Sequence, residues 1–266
     1  VTPTEALTRL LGEYPAAGAR PTRLLRPLHL GPLAHSWLLE YGDEQAVLRI
    51  DQPAAKTLGL DRAAEFARLA AIAAAGLGPP PIAVDAAQGL LLRRHVAGRA
   101  WQAADLGQAA NLQRAAALLR QVHALPIAAP PLDLQAAIDR YARLAGANAA
   151  AQAATCRALL AACQDPRAPQ VFCHNDPVAG NFVTTPGALC LIDWEYSGFN
   201  ELWFDLAVVS GQHELPEPRV WGLLEAYLQR PPTAADCATL ARWVAFYRAL
   251  VSLWQGALPA LPRNCS

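Results

Sequence analysis

The sequence is short of charge. Ionic side chains make up 17% of its 266 residues, and 22 basic against 22 acidic groups leave no net charge. Without a basic excess there is no field to hold nucleic-acid phosphates, so nucleic acid is not expected as a partner. A hydrophobic content of 53% excludes intrinsic disorder. The six cysteines (Cys156, Cys163, Cys173, Cys190, Cys237, Cys265) form no C-x-x-C pair and have no histidine at zinc spacing. A structural metal site is therefore not expected, and the thiols are expected to be reduced. Residues 1–13 lack the basic start and apolar run of a signal peptide. The most apolar stretch, residues 66–84, is broken by two glycines and three prolines and does not read as a membrane span. The expectation from these absences is a cytoplasmic protein.

What is present divides in two. Residues 22–29, 36–41 and 46–51 are short apolar runs separated by Gly31-Pro32 and Gly42-Asp43, which predicts an antiparallel meander. Residues 59–75 read as a helix, with Phe66, Leu69 and Ile72 on one face, stopped by Gly76, Gly78 and the prolines. Strands are predicted at 82–85 and 89–94. Helices follow at 105–123, 132–145 and 149–163, short strands at 171–173, 182–184 and 188–192, and three helices from residue 201 onward. The fold class is α+β, with a strand-rich unit over residues 1–95 and a larger helical unit over 96–266.

The strongest local pattern is H-x-D-x-x-x-x-N, formed by His174, Asp176 and Asn181, with Asp193 twelve residues later at the end of another apolar run. Phosphoryl transfer needs such a set. One carboxylate accepts a hydrogen bond from the attacking hydroxyl, while a carboxylate and an amide oxygen hold magnesium on nucleotide phosphates. Two hairpin-connected strands would carry Asp176 and Asn181 at one end of the site and return Asp193 to face them.

These motifs resemble those of the aminoglycoside phosphotransferase and choline kinase superfamily, small-molecule relatives of protein kinases. The resemblance also rests on Trp194-Glu195-Tyr196 through Asn200, on Phe204-Asp205-Leu206-Ala207, on Leu119-Arg120-Gln121-Val122-His123, on Val47-Leu48-Arg49-Ile50 and on Gly76-Leu77-Gly78-Pro79. It implies a protein-kinase-like bilobal fold, a small antiparallel-sheet lobe for the nucleotide and a helical lobe for catalysis and acceptor. It further implies ATP and Mg²⁺ as cofactors, Asp176 as catalytic base, and Asn181 and Asp193 as metal ligands. His174 would brace the loop, with Asp205 supporting it. Arg49, Glu65, Ser36 and Gly31 would serve the nucleotide. Arg49 stands where protein kinases have lysine; the only lysine, Lys56, lies beyond the strand. The expected phosphate-covering loop, residues 28–36, has a single glycine.

For the acceptor, Glu195 and Asn200 are candidates from the same motif. Trp243, Tyr247 and Trp254 share a helical face, which reads either as a core stripe or as a cation–π box. Residues 233–266 contain one acid, Asp236, so a polycationic acceptor in that segment is disfavoured. The expected reaction is phosphorylation of a small cationic alcohol: choline, ethanolamine or thiamine. An aminoglycoside or sugar acceptor, or a non-catalytic nucleotide sensor, are the alternatives. The charge is unevenly divided: residues 1–170 carry 17 basic and 13 acidic groups, residues 171–266 carry 5 and 9.

Overall fold

The structure is a computed structural model that describes residues 1–12 and 22–262; Cys265 lies outside them. The chain forms two compact units, one of residues 1–97 together with those from 261, the other Gly98–Ala260.

The first unit opens with a helix, α1 (Pro3–Leu11), followed by the strands β1 (Thr22–Leu30), β2 (Ala34–Tyr41) and β3 (Glu44–Asp51). Two helices, α2 (Pro53–Thr57) and α3 (Arg62–Ala74), precede β4 (Pro81–Asp85) and β5 (Leu90–Arg94). The strands make one antiparallel sheet in the order β1-β2-β3-β5-β4. Period-2 alternation gives β3 two jobs. Ala46, Leu48 and Ile50 enter a cluster with Ala6 and Leu7 of α1. Val47 and Arg49 are buried on the opposite face.

The expected helix at 59–75 is shorter, because Gly59 takes φ +73° between α2 and α3 and Asp61 caps Ala64 N–H. The helix α1 escapes a reading by apolar runs, yet its start was marked. Thr2 and Glu5 form a capping box around Pro3 at the first helical position.

The second unit comprises β6 (Arg99–Ala100), α4 (Ala103–Leu106), α5 (Ala109–His123), α6 (Leu134–Ala145) and α7 (Ala150–Cys163). Then come β7 (Gln170–Cys173), β8 (Phe182–Thr184), β9 (Leu189–Leu191) and β10 (Gly198–Glu201). Helices α8 (Leu202–Gln212), α9 (Glu217–Leu228) and α10 (Ala234–Ala257) complete it. The expected helix at 105–123 breaks at Gly107, and Asp105 turns back to accept from Gln102 N–H and pair with Arg99. Buried faces of the helices meet around α10, where Trp243, Phe246, Leu250 and Leu253 are inside. Two small antiparallel sheets, β6-β8-β9 and β10-β7, bracket the segment with the H-x-D pattern. No helix among the described residues is long and apolar enough to cross a membrane.

Candidate active site

The site of the second unit is built on the turn that leaves β7 and the turn that leaves β9. Tight pairing of Thr185 N–H with the Ala188 carbonyl closes the β8–β9 hairpin, and Ile192 N–H donates to the Asn181 carbonyl at 2.9 Å. The hairpin therefore sets Asn181, just before β8, beside the backbone that leads into Asp193. Asn181 also reaches back: its amide donates to the Asp176 carbonyl at 2.8 Å and to Asp176 Oδ2 at 3.2 Å. With its nitrogen so used, the amide oxygen is the atom left to act as an acceptor.

Asp205, fully buried on α8, anchors the loop from below. Its two carboxylate oxygens accept from His174 N–H at 3.0 Å and from Asn175 N–H at 2.7 Å. His123 on α5 lies against the same carboxylate, Nε2 to Oδ2 at 3.0 Å, while its Nδ1 is 2.6 Å from the Tyr227 hydroxyl. A carboxylate can only accept, so the histidine donates to it through Nε2. His123, Cys173 and Asp205 lie close enough for a metal, but these hydrogen bonds already use the histidine and the carboxylate. Burial pushes the Cys173 thiol well above its ordinary pKa, and a protonated thiol is no ligand.

His174 is also fully buried. Its Nε2 donates to the Ile192 carbonyl at 3.0 Å and its Nδ1 accepts from Asp176 N–H at 3.3 Å, so it ties the two turns together as a neutral ring. Burial lowers its pKa, which agrees with that tautomer. Trp194 fills the space beneath: it is 2% exposed, with its ring 4.5 Å from that of His174 and its Nε1 donating to the Leu191 carbonyl. With Trp194 turned inward, Asp193 is exposed and Glu195 is half-buried. Asn175 and Asp193 both adopt left-handed backbone, φ +66° and +64°. For Asn175 three bonds fix it there: it donates to the Tyr196 and Gly198 carbonyls and accepts from the Asn200 amide.

The electrostatic result is a crowd of carboxylates. Burial raises the Asp176 pKa well above its ordinary value, and the charges of Asp193 and Glu195 raise it further. Tyr141 on α6 joins the same neighbourhood. Burial brings its phenol to about 12, its hydroxyl is hydrogen-bonded to Tyr196, and it feels Asp176 and Glu195. Sequence reasoning missed Tyr141; the available signal was a polar tip on the buried face made by Leu134, Ile138 and Tyr141. It also missed His213, whose Nε2 accepts from Ala179 N–H in the segment between β7 and β8.

The structure does not bring every candidate here. Asn200, expected at the acceptor, is 5% exposed and belongs to the scaffold, holding Asn175 Oδ1 and accepting from Glu201 N–H. Trp243 has no exposure; its ring packs edge-on against Phe204 and Phe246 at 5.9 Å, so it belongs to the core stripe rather than to a cation box. Tyr247 is mostly buried against Phe204, with its hydroxyl donating to Gln212 Oε1. Asp176 contributes to raising the pKa of that phenol, which leaves Tyr247 within electrostatic range of the site. Trp254 is half-buried two turns further along α10.

In the first unit, Arg49 forms a bidentate pair with Glu65 of α3, at 2.9 and 2.7 Å. Ser36 is the cross-strand partner of Arg49 on β2, so both side chains stand on one face. The expected loop at 28–36 is mostly strand. Only residues 31–33 turn, closed by Gly31 N–H to the Ala34 carbonyl. A Cβ at Gly31 would stand 2.2 Å from His29 Nε2, the tip of an exposed side chain that can turn away.

A family model described as a phosphotransferase enzyme family matches residues 25–246. Two LicA proteins of Haemophilus influenzae are 42% identical over 55 residues, 21% of this chain; the chain spans only 21% and 16% of their lengths. A choline/ethanolamine kinase family protein from Mesorhizobium loti superposes with a TM-score of 0.72 at 26% identity, covering 94% of this chain and 84% of that one. Choline kinase LicA from Streptococcus pneumoniae gives 0.75 at 19%, covering 96% and 89%. A LicA structure in complex with AMP gives 0.77 at 20%, covering 96% and 88%.

Proposed function

Since the chain belongs to the phosphotransferase enzyme family, we propose that it is an ATP-dependent kinase of a small cationic alcohol of the choline, ethanolamine or thiamine kind. The observation that carries this reading is the crowding of Asp193 and Glu195 on Asp176, held by a loop whose backbone is pinned to Asp205. Asp176 has the position of the group that accepts the hydrogen bond of an attacking hydroxyl. Glu195 supplies a carboxylate to a cation, with the phenols of Tyr141 and Tyr196 in its electrostatic neighbourhood.

Magnesium fits the donors present. They are hard oxygens, a carboxylate from Asp193 and the amide oxygen of Asn181, set among carboxylates that repel one another. When bound, the ion would neutralise charge on the transferred phosphoryl group. Nucleotide binding is supported by the AMP in one structural neighbour and by the permanent positive charge of Arg49 on the sheet face it shares with Ser36. A polycationic acceptor at the start of α10 is disfavoured further by the engagement of Asp236. Its carboxylate is taken by Arg230 and by the Thr233 cap.

ADP release from Mg·ATP, measured with choline, ethanolamine, thiamine, an aminoglycoside and a hexose, tests the proposal. The expected outcome is saturable turnover on one small cation and its loss by orders of magnitude in Asp193→Ala. Binding of nucleotide without turnover on any hydroxyl would instead identify a sensor and sink the proposal.

A further inference from the structure

The Arg49–Glu65 pair is half of a larger assembly. Glu65 Oε2 also accepts from Arg62 Nη1 at 2.8 Å, beside its 2.7 Å bond from Arg49. Arg62 turns its other edge to Asp51, with Nε to Oδ2 at 2.5 Å and Nη2 to Oδ1 at 2.9 Å. Asp51 Oδ1 in turn lies 3.7 Å from Arg49 Nε. The four charges alternate around a closed ring, and their side chains are only 1 to 12% exposed. The backbone is shaped to admit Asp51: Gly89, at φ +63°, accepts from Asp51 N–H, and a Cβ there would be 2.6 Å from the Asp51 side chain.

Such a ring is a poor device for stability. Buried ion pairs recover little beyond their desolvation, and well-packed apolar residues would hold α3 to the sheet at least as well. What the ring does supply is orientation. A carboxylate gripped by one arginine can still turn about its last bond. Glu65 is gripped from two sides and cannot, so the plane of the Arg49 guanidinium is fixed with it.

We propose that Arg62 and Asp51 are positioning residues for the nucleotide phosphates, acting through Glu65 to aim Arg49. The inference rests on the kinase reading above, and it extends the nucleotide site to two residues that touch no substrate. A lysine at position 62 keeps the charge but cannot bridge Asp51 and Glu65 together.

The test compares the full-length wild type with Arg62→Lys and with the double variant Arg62→Gln/Asp51→Asn, which removes one charge of each sign and leaves no ion stranded. Side-chain ¹⁵N NMR reads the Arg49 Nη groups directly, without reference to catalysis. They are expected to be resolved in the wild type and averaged by rotation in both variants. The KM for Mg·ATP is expected to rise about tenfold, the equivalent of one charge-assisted hydrogen bond, with kcat and the KM of the acceptor unchanged. Unchanged Arg49 signals in the variants would overturn the proposal. Averaged signals with an unaltered nucleotide KM would overturn it as well, by reducing the ring to scaffold. A wild type with locked Arg49 signals that binds no Mg·ATP would reject the kinase reading, and the nucleotide role of the ring with it.

Discussion

The two units handle clustered charge in opposite ways. In the first, Arg49, Glu65, Arg62 and Asp51 alternate in sign, and each carboxylate is gripped by a guanidinium within 3 Å. In the second, Asp176, Asp193 and Glu195 are alike in sign, and the charges of Asp193 and Glu195 push Asp176 toward protonation. A ring of alternating charge is complete in itself and resists change. A cluster of like charge is incomplete until a cation arrives, and the protein holds it only because Asp205, His174 and Trp194 fix the backbone underneath. On the proposals above, the first aims a group and the second receives one.

Removing one charge from each unit should break this contrast most visibly. Asp176→Asn is expected to lower kcat by about 10³-fold, the loss of a general base. Yet it should raise the thermal midpoint, because it relieves repulsion at a site that trades stability for function. Turnover assays beside calorimetry check both halves, and a lower midpoint would contradict the like-charge account. Glu65→Gln should do the reverse to stability. It takes from Arg49 its bidentate carboxylate, leaves Asp51 alone to balance two buried guanidinium groups, and is expected to cost about 3 kcal/mol, read by denaturant unfolding.

The smallest effect concerns a charge pair at the surface of the second unit. The Arg99 guanidinium and the Gln102 N–H hold the Asp105 carboxyl down, from 3.8 to about 2. A carboxylate whose pKa is lower in the folded state stabilises fully above its unfolded value, and that contribution is lost as pH falls from about 4 toward 2. Asp105→Asn should therefore flatten the dependence of stability on pH in that window and leave it unaltered at pH 7 to 8. Unfolding curves at pH 5, 4 and 3 compare the two proteins.

How much of this was legible in the sequence depended on the range of the interaction. Asp176, Asn181 and Asp193 were visible because one hairpin joins them, and a hairpin announces itself through short apolar runs and turn residues. Asp61 and Thr2 wrote their caps locally too, although only the apolar periodicity was read. By contrast, Arg62 and Asp51 pair across the break between two helices, and no spacing rule links a strand end to a helix start eleven residues on. The strand β10 carries buried Asn200 and Glu201, so it lacks the apolar alternation that marks other strands. Trp243 obeyed the helical period, but periodicity gives a face without saying whether that face meets a ligand or the core. Phe204 and Phe246 decided it.

The choice of arginine for the ring has a practical consequence. Lys56, the one lysine side chain of the sequence, stands exposed in the last turn of α2, outside the ring. Amine-directed reagents therefore meet a single lysine, on the first unit, and find none in the second. With the terminal α-amine blocked, a dye, a spin label or a surface tether attached there gives every molecule the same handle, with Arg49, Asp176 and Asp193 chemically untouched.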